Sequence, residues 1–163
     1  MAEQDTLNVK VVGPTPTWPI FFMPNYELIE HTADVGIRVK AGDLKELFKN
    51  SALAMFDIIA DQKPKAKNQR PKTQTFTVRQ KADNLEELFI NWLNELLSLS
   101  ATKEKIFCAF NFKKLGKYNL EAQLGGCDIK DYKVNTEIKA ATYHSLKLQK
   151  TESGYEVEVI FDV

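Results

Sequence analysis

The sequence predicts an α+β fold: a two-layer sandwich in which two helices pack on a mainly antiparallel sheet. Three observations predict it. Two segments repeat apolar residues at helical spacing. At least six others read as strands, most of them in the second half of the chain. A strand–helix unit also occurs twice: Lys40-Ala41, Leu44, Glu46-Leu47-Phe48 and Asn50 match Lys81-Ala82, Leu85, Glu87-Leu88-Phe89 and Asn91 at a constant offset of 41, and Arg38 matches Arg79. Two copies imply a duplicated unit and not a solenoid.

The elements follow in order. Residues 1–24 carry Gly13, Pro14, Pro16, Pro19 and Pro24 and read as an N-terminal extension, with Trp18, Phe21 and Phe22 either packed on the domain or serving a partner. A single domain is expected over residues 25–163. Tyr26 to Glu30 reads as a short strand, His31 to Asp34 as a turn, and Val35 to Lys40 as an alternating strand. Asp43 and Glu46 form a capping box, and Leu44, Leu47, Phe48, Ala52, Met55 and Phe56 give a helix to about Ala60. Residues 63–72 form a basic loop, expected to be a solvated connector, with RNA contact the lesser reading. Phe76 to Lys81 is the next strand, and a second helix follows from Asp83 or Asn84. Ile106 to Phe112 and Tyr118 to Leu124 make a hairpin, as do Thr136 to Leu148 and Tyr155 to Val163.

Composition narrows the function. The 163 residues are 44% apolar and 27% charged with zero formal net charge. No global charge draws the chain to nucleic acid or to an anionic membrane, so no stable direct nucleic-acid binding is expected. The longest apolar run, Trp18 to Met23, is too short to span a bilayer. Without a signal peptide the expected location is cytoplasmic, with Cys108 and Cys127 as mostly buried thiols. Two histidines and no CxxC pair argue against structural zinc.

No phosphate-binding glycine loop, GxSxG elbow or HExxH helix is present. Two places stand out instead. Asp34, in the turn His31-Thr32-Ala33-Asp34, either closes an Asx turn or serves as a ligand. Asp162, between Phe161 and Val163, is either a solvated carboxylate, a metal ligand or a charge partner for a lysine such as Lys139. Hairpin alternation puts Tyr155, Val157, Val159 and Phe161 on the core face, pairs Tyr143 with Asp162, and makes His144 core or core-edge. Asp128 and Asp131 read as turn residues.

These segments also carry a family resemblance. Tyr26-Glu27-Leu28-Ile29-Glu30-His31-Thr32-Ala33-Asp34-Val35-Gly36 resembles the opening signature of the archeases; Glu137 to His144 resembles their penultimate strand, and Ile160-Phe161-Asp162-Val163 their C-terminal end. The match runs over residues 25–163. It implies a non-catalytic protein cofactor of RtcB-type RNA ligases in tRNA splicing. Those ligases join tRNA halves through a guanylylated histidine, and the cofactor promotes guanylylation and multiple turnover. It would meet tRNA only indirectly. The resemblance also implies a divalent cation, Ca²⁺, Mg²⁺ or Mn²⁺, held by Asp34 and Asp162, with His31, Lys139 and Val163 in supporting positions. Hard aspartate oxygens suit such ions, but two carboxylates are too few for a full cage. The competing expectation is a metal-dependent phosphohydrolase or nuclease acting alone through the same aspartates.

Overall fold

The computed structural model describes residues 25–30, 33–63 and 72–163. Residues 1–24, His31, Thr32 and residues 64–71, most of the basic loop, lie outside them. The described chain runs β1 (Glu27–Glu30), β2 (Val35–Ala41), α1 (Leu44–Ile59), β3 (Ala60–Gln62), β4 (Thr73–Lys81), α2 (Leu85–Lys103), β5 (Lys105–Leu115), β6 (Asn119–Asp128), β7 (Tyr132–Val134), β8 (Ala140–Thr151) and β9 (Gly154–Asp162).

The α+β class holds, and every strand pairing is antiparallel. The expected sheet is divided, however. One sheet has the order β1-β2-β9-β8, a second β4-β6-β5, and β3 pairs with β7 alone. Helix α1 packs on β2, β9 and β5, while α2 packs on β4, β5 and β8, so each helix bridges the two larger sheets.

The duplication reaches further than a strand and a helix. The first copy is β2–α1 completed by the hairpin β8–β9, in the order β2-β9-β8; the second is β4–α2–β5–β6, in the order β4-β6-β5. The second copy is thus inserted into the first, between α1 and β8. Equivalent residues do equivalent work. Asp43 accepts the Glu46 N–H at 2.8 Å, and Asn84 accepts the Glu87 N–H at 2.8 Å. Each glutamate reaches back to the residue before the cap, Gly42 at 2.7 Å and Asp83 at 3.4 Å. Arg38 pairs with Glu158 at 3.0 Å across β2–β9, and Arg79 with Glu121 at 3.4 Å across β4–β6. These solvent-accessible pairs, the first of them half-buried, add little stability; their value is as markers of correspondence. Phe48 and Phe89, also offset by 41, meet edge to face at 5.2 Å.

The core lies between helices and sheets. Leu47 and Leu88 are both fully buried, as the duplication requires. Trp92 is buried among Phe48, Phe110 and Phe112, and its indole N–H donates to the Phe48 carbonyl at 3.1 Å. Burial of that N–H without a partner would be costly, so the bond fixes the helix pair as well as the ring.

Three local expectations are corrected. Helix α1 ends at Ile59, as expected, where Ala60 turns extended (φ −155°, ψ 150°), but β3 then begins and pairs with β7, and neither short strand was expected. The last hairpin keeps its predicted register near the turn, with Lys150 opposite Tyr155 and Leu148 opposite Val157. A bulge between Thr142 and Lys147 then shifts it, so Ala140 and not Tyr143 lies opposite Asp162. The same bulge, with Ser145 at φ 53°, leaves His144 exposed and not at the core edge. Gly154 closes the hairpin at φ 152°, where a Cβ would strike the Ala41 carbonyl oxygen.

Candidate functional site

The site expected from sequence lies at one end of the four-stranded sheet. Strand β9 finishes there: Phe161 is fully buried and Asp162, pointing to the other face, is exposed. Val35 of β2 lies opposite Phe161. Asp34, in the bend that leads into β2, is half-buried, and the β2–β9 register extended by one residue would set it opposite Asp162. Alternation puts Asp162 on the face carrying Ile160, Glu158, Gly36 and Arg38, the face that Asp34 would share if the register ran on past Val35.

Strand β8 closes the other flank. Ala140 lies opposite Asp162, and the Lys139 N–H donates to the Asp162 carbonyl at 2.8 Å. The contact between Lys139 and Asp162 is therefore through the main chain, and the Lys139 side chain is exposed. Val163 is half-buried and packs against the core, which anchors the strand end. His31 lies outside the described residues.

Three further residues hold this end in place, of which Asn94 was passed over by sequence reasoning and Gly36 and Thr142 were given no role. The Asn94 side chain on α2 accepts the Ala141 N–H at 2.8 Å and donates to the Ala141 carbonyl at 3.1 Å. It thereby pairs both main-chain groups of one residue of the edge strand β8. The Thr142 hydroxyl donates to the Ile160 carbonyl at 2.9 Å. Gly36 lies under Ile160; a Cβ there would stand 2.8 Å from Ile160 Cδ1 and 3.2 Å from Ile29 Cβ. The only sequence signal for Asn94 is a polar amide on a helix whose flanking positions, Leu93 and Leu96, are apolar.

The donor set suits a hard divalent cation through two carboxylates and neighbouring carbonyls. Among the described residues, no group of three or more His, Cys, Asp or Glu side chains is placed to hold a metal by itself. In the second copy the positions equivalent to Asp34 and Asp162 are Thr75 (34 + 41) and Gly125 (162 − 37, the shift that relates Glu158 to Glu121), which oppose each other in β4–β6. The acidic end was therefore built in one copy alone.

Comparison with known proteins follows this geometry. Residues 26–163 match the model of the Archease protein family. The chain belongs to the archease family. It is 36% identical over 147 residues to a protein archease of Methanosarcina barkeri, covering 85% of this chain and 95% of that protein. It is 35% identical over 137 residues to the archease of Pyrococcus abyssi, covering 81% and 93%. Among solved structures, Methanobacterium thermoautotrophicum protein 1598 superposes with a TM-score of 0.66 at 27% identity, covering 86% of this chain and all of the other. A Thermotoga maritima archease, described as a possible chaperone, superposes with a TM-score of 0.59 at 23% identity over 83% and 94% of the two chains, a likeness of fold. The archease match begins at Tyr26, just beyond the proline-rich extension. No helix among the described residues is long and apolar enough to cross a membrane.

Proposed function

We propose that this archease is a non-catalytic protein cofactor that activates an RtcB-type RNA ligase in tRNA splicing, acting in the cytoplasm and meeting tRNA only through the ligase. What supports the reading is family membership together with the end of β9: Asp162 is exposed there, and the β2–β9 register extended by one residue would bring Asp34 opposite it. Asp34 and Asp162 would hold a Ca²⁺, Mg²⁺ or Mn²⁺ ion by carboxylate oxygens at about 2.0–2.6 Å, with carbonyls and water completing the shell. The bound ion would supply positive charge at a nucleotide phosphate of the ligase. The residues of the chain provide placement. The buried Phe161 and the half-buried Val163 grip the strand on either side of Asp162, and the Lys139 N–H fixes its main chain. Such an exposed carboxylate on a rigid support can enter a partner's cleft without reorganisation.

The test is multiple-turnover ligation by an RtcB-type ligase with the chain present at sub-stoichiometric amounts. Ligation should rise well above that of the ligase alone, and the chain alone should ligate nothing. A chain that instead hydrolyses a generic phosphodiester in the presence of Mn²⁺ would support the phosphohydrolase reading and displace this one.

A further inference from the structure

The two cysteines play no part in the acidic end, yet the fold brings them together. Cys127 of β6 is fully buried, Cys108 of β5 is half-buried, and their sulfur atoms are 3.2 Å apart with no bond between them. Ile106 lies opposite Cys127 and Phe107 opposite Gly126, and the ladder then slips so that Ala109, not Cys108, opposes Gly125. Cys108 is the extra residue of that bulge, and its sulfur meets that of Cys127 there. Cys108 Sγ also meets the Gly125 carbonyl at 3.6 Å. Tyr132, at the start of β7, hydrogen-bonds Cys127.

We propose that Cys108 and Cys127 are a reversible dithiol–disulfide modification site, oxidised by low-molecular-weight disulfides of the glutathione class. The Cys108 thiolate attacks one sulfur of the small disulfide, forming a mixed disulfide and releasing one thiolate. Cys127 then attacks the Cys108 sulfur, forming the Cys108–Cys127 bond and releasing the second. Two electrons pass from the cysteine pair to the small disulfide, and the two cysteine protons leave with the two thiols produced. Cys108 is the entry point because it alone of the two is reachable from solvent. A bond needs the sulfurs to close to about 2.05 Å, a movement of roughly 1 Å that side-chain torsions can supply. The hydrogen bond with Cys127, and then burial, hold the Cys108 thiol protonated at neutral pH, so the first attack is slow there and speeds as pH rises.

The test treats the folded full chain with oxidised glutathione at several pH values and follows intact mass and thiol titre. The expected product is a monomer lighter by two hydrogens, with the titre falling from two thiols to none, a faster reaction at higher pH, and full return with dithiothreitol. Peptide mapping should find Cys108 joined to Cys127. Cys127→Ser should stall as a stable glutathione adduct on Cys108, and Cys108→Ser should resist modification while folded. A titre that stays at two, a lasting adduct on the unaltered chain, or an intermolecular dimer would each overturn the proposal. The mapping arm uses the unaltered protein, so a variant that fails to fold leaves the test decisive.

Discussion

Asn94→Ala is a perturbation whose size can be worked from contacts. The Asn94 amide makes two hydrogen bonds to the Ala141 main chain, at 2.8 and 3.1 Å, and Ala141 is buried. Each bond contributes about 1 kcal/mol net, and a buried group left without a partner costs about 1–3 kcal/mol. Water can reach part of the site, because Asn94 is itself half-buried. The expected loss is therefore about 2–4 kcal/mol, or very roughly 5–15 °C in melting temperature for a chain of this size. Asn94→Asp keeps the acceptor for the Ala141 N–H but sets a carboxylate against the Ala141 carbonyl, so it should not restore stability. Urea unfolding measures the effect: the midpoint should fall with little change in slope. Asn94 also braces the strand beside Asp162, so cation affinity should fall with it. A loss under about 0.5 kcal/mol would mean that β8 is held by β9 alone and that the clamp reasoning is wrong.

Further outcomes follow from the same structure. Leu47→Ala and Leu88→Ala, both fully buried at equivalent places, should each cost about 2–5 kcal/mol in urea unfolding; a near-neutral result at either would contradict the duplicated core. Gly36→Ala should cost about 1–3 kcal/mol, since its Cβ meets Ile160 Cδ1 at 2.8 Å, and Ile160→Val in the same chain should recover part of that loss. The Tyr26 hydroxyl donates to Asp57 at 2.7 Å, and burial followed by that carboxylate raises the Tyr26 pKa. Its contribution is fully present below the ordinary tyrosine pKa of about 10 and is lost as pH rises through the folded value, so Tyr26→Phe should shrink the alkaline loss of melting temperature.

Much of this was legible in the sequence because it is local. The cap of the first helix and the core faces of Val157, Val159 and Phe161 depend on residues a few positions apart, and the repeat at offset 41 shows directly as matching residues. The loop Thr151-Glu152-Ser153-Gly154 likewise set the approximate register of Leu148 with Val157. What was not legible depends on distant partners. The bulge in β8 satisfies no spacing rule, and it moved Asp162 from Tyr143 to Ala140 and brought His144 to the surface. The pairing of β3 with β7 joins segments separated by the whole second copy. Asn94 reaches Ala141 across 47 positions, so its role emerges only after folding. The acidic end fell between these cases. Its residues stood out as motifs, whereas their register required β2 and β9 to be paired.

The measurement closest to the central claim is guanylylation of an RtcB-type ligase, followed with labelled GTP and a limiting amount of this chain, unaltered or carrying Asp162→Ala. Asp162 is exposed at the end of β9, so its loss should leave circular dichroism and melting near those of the unaltered chain. The account predicts strong stimulation by the unaltered chain and none above background by Asp162→Ala, with Asp34→Ala behaving alike. Full stimulation by a chain lacking both carboxylates would contradict it.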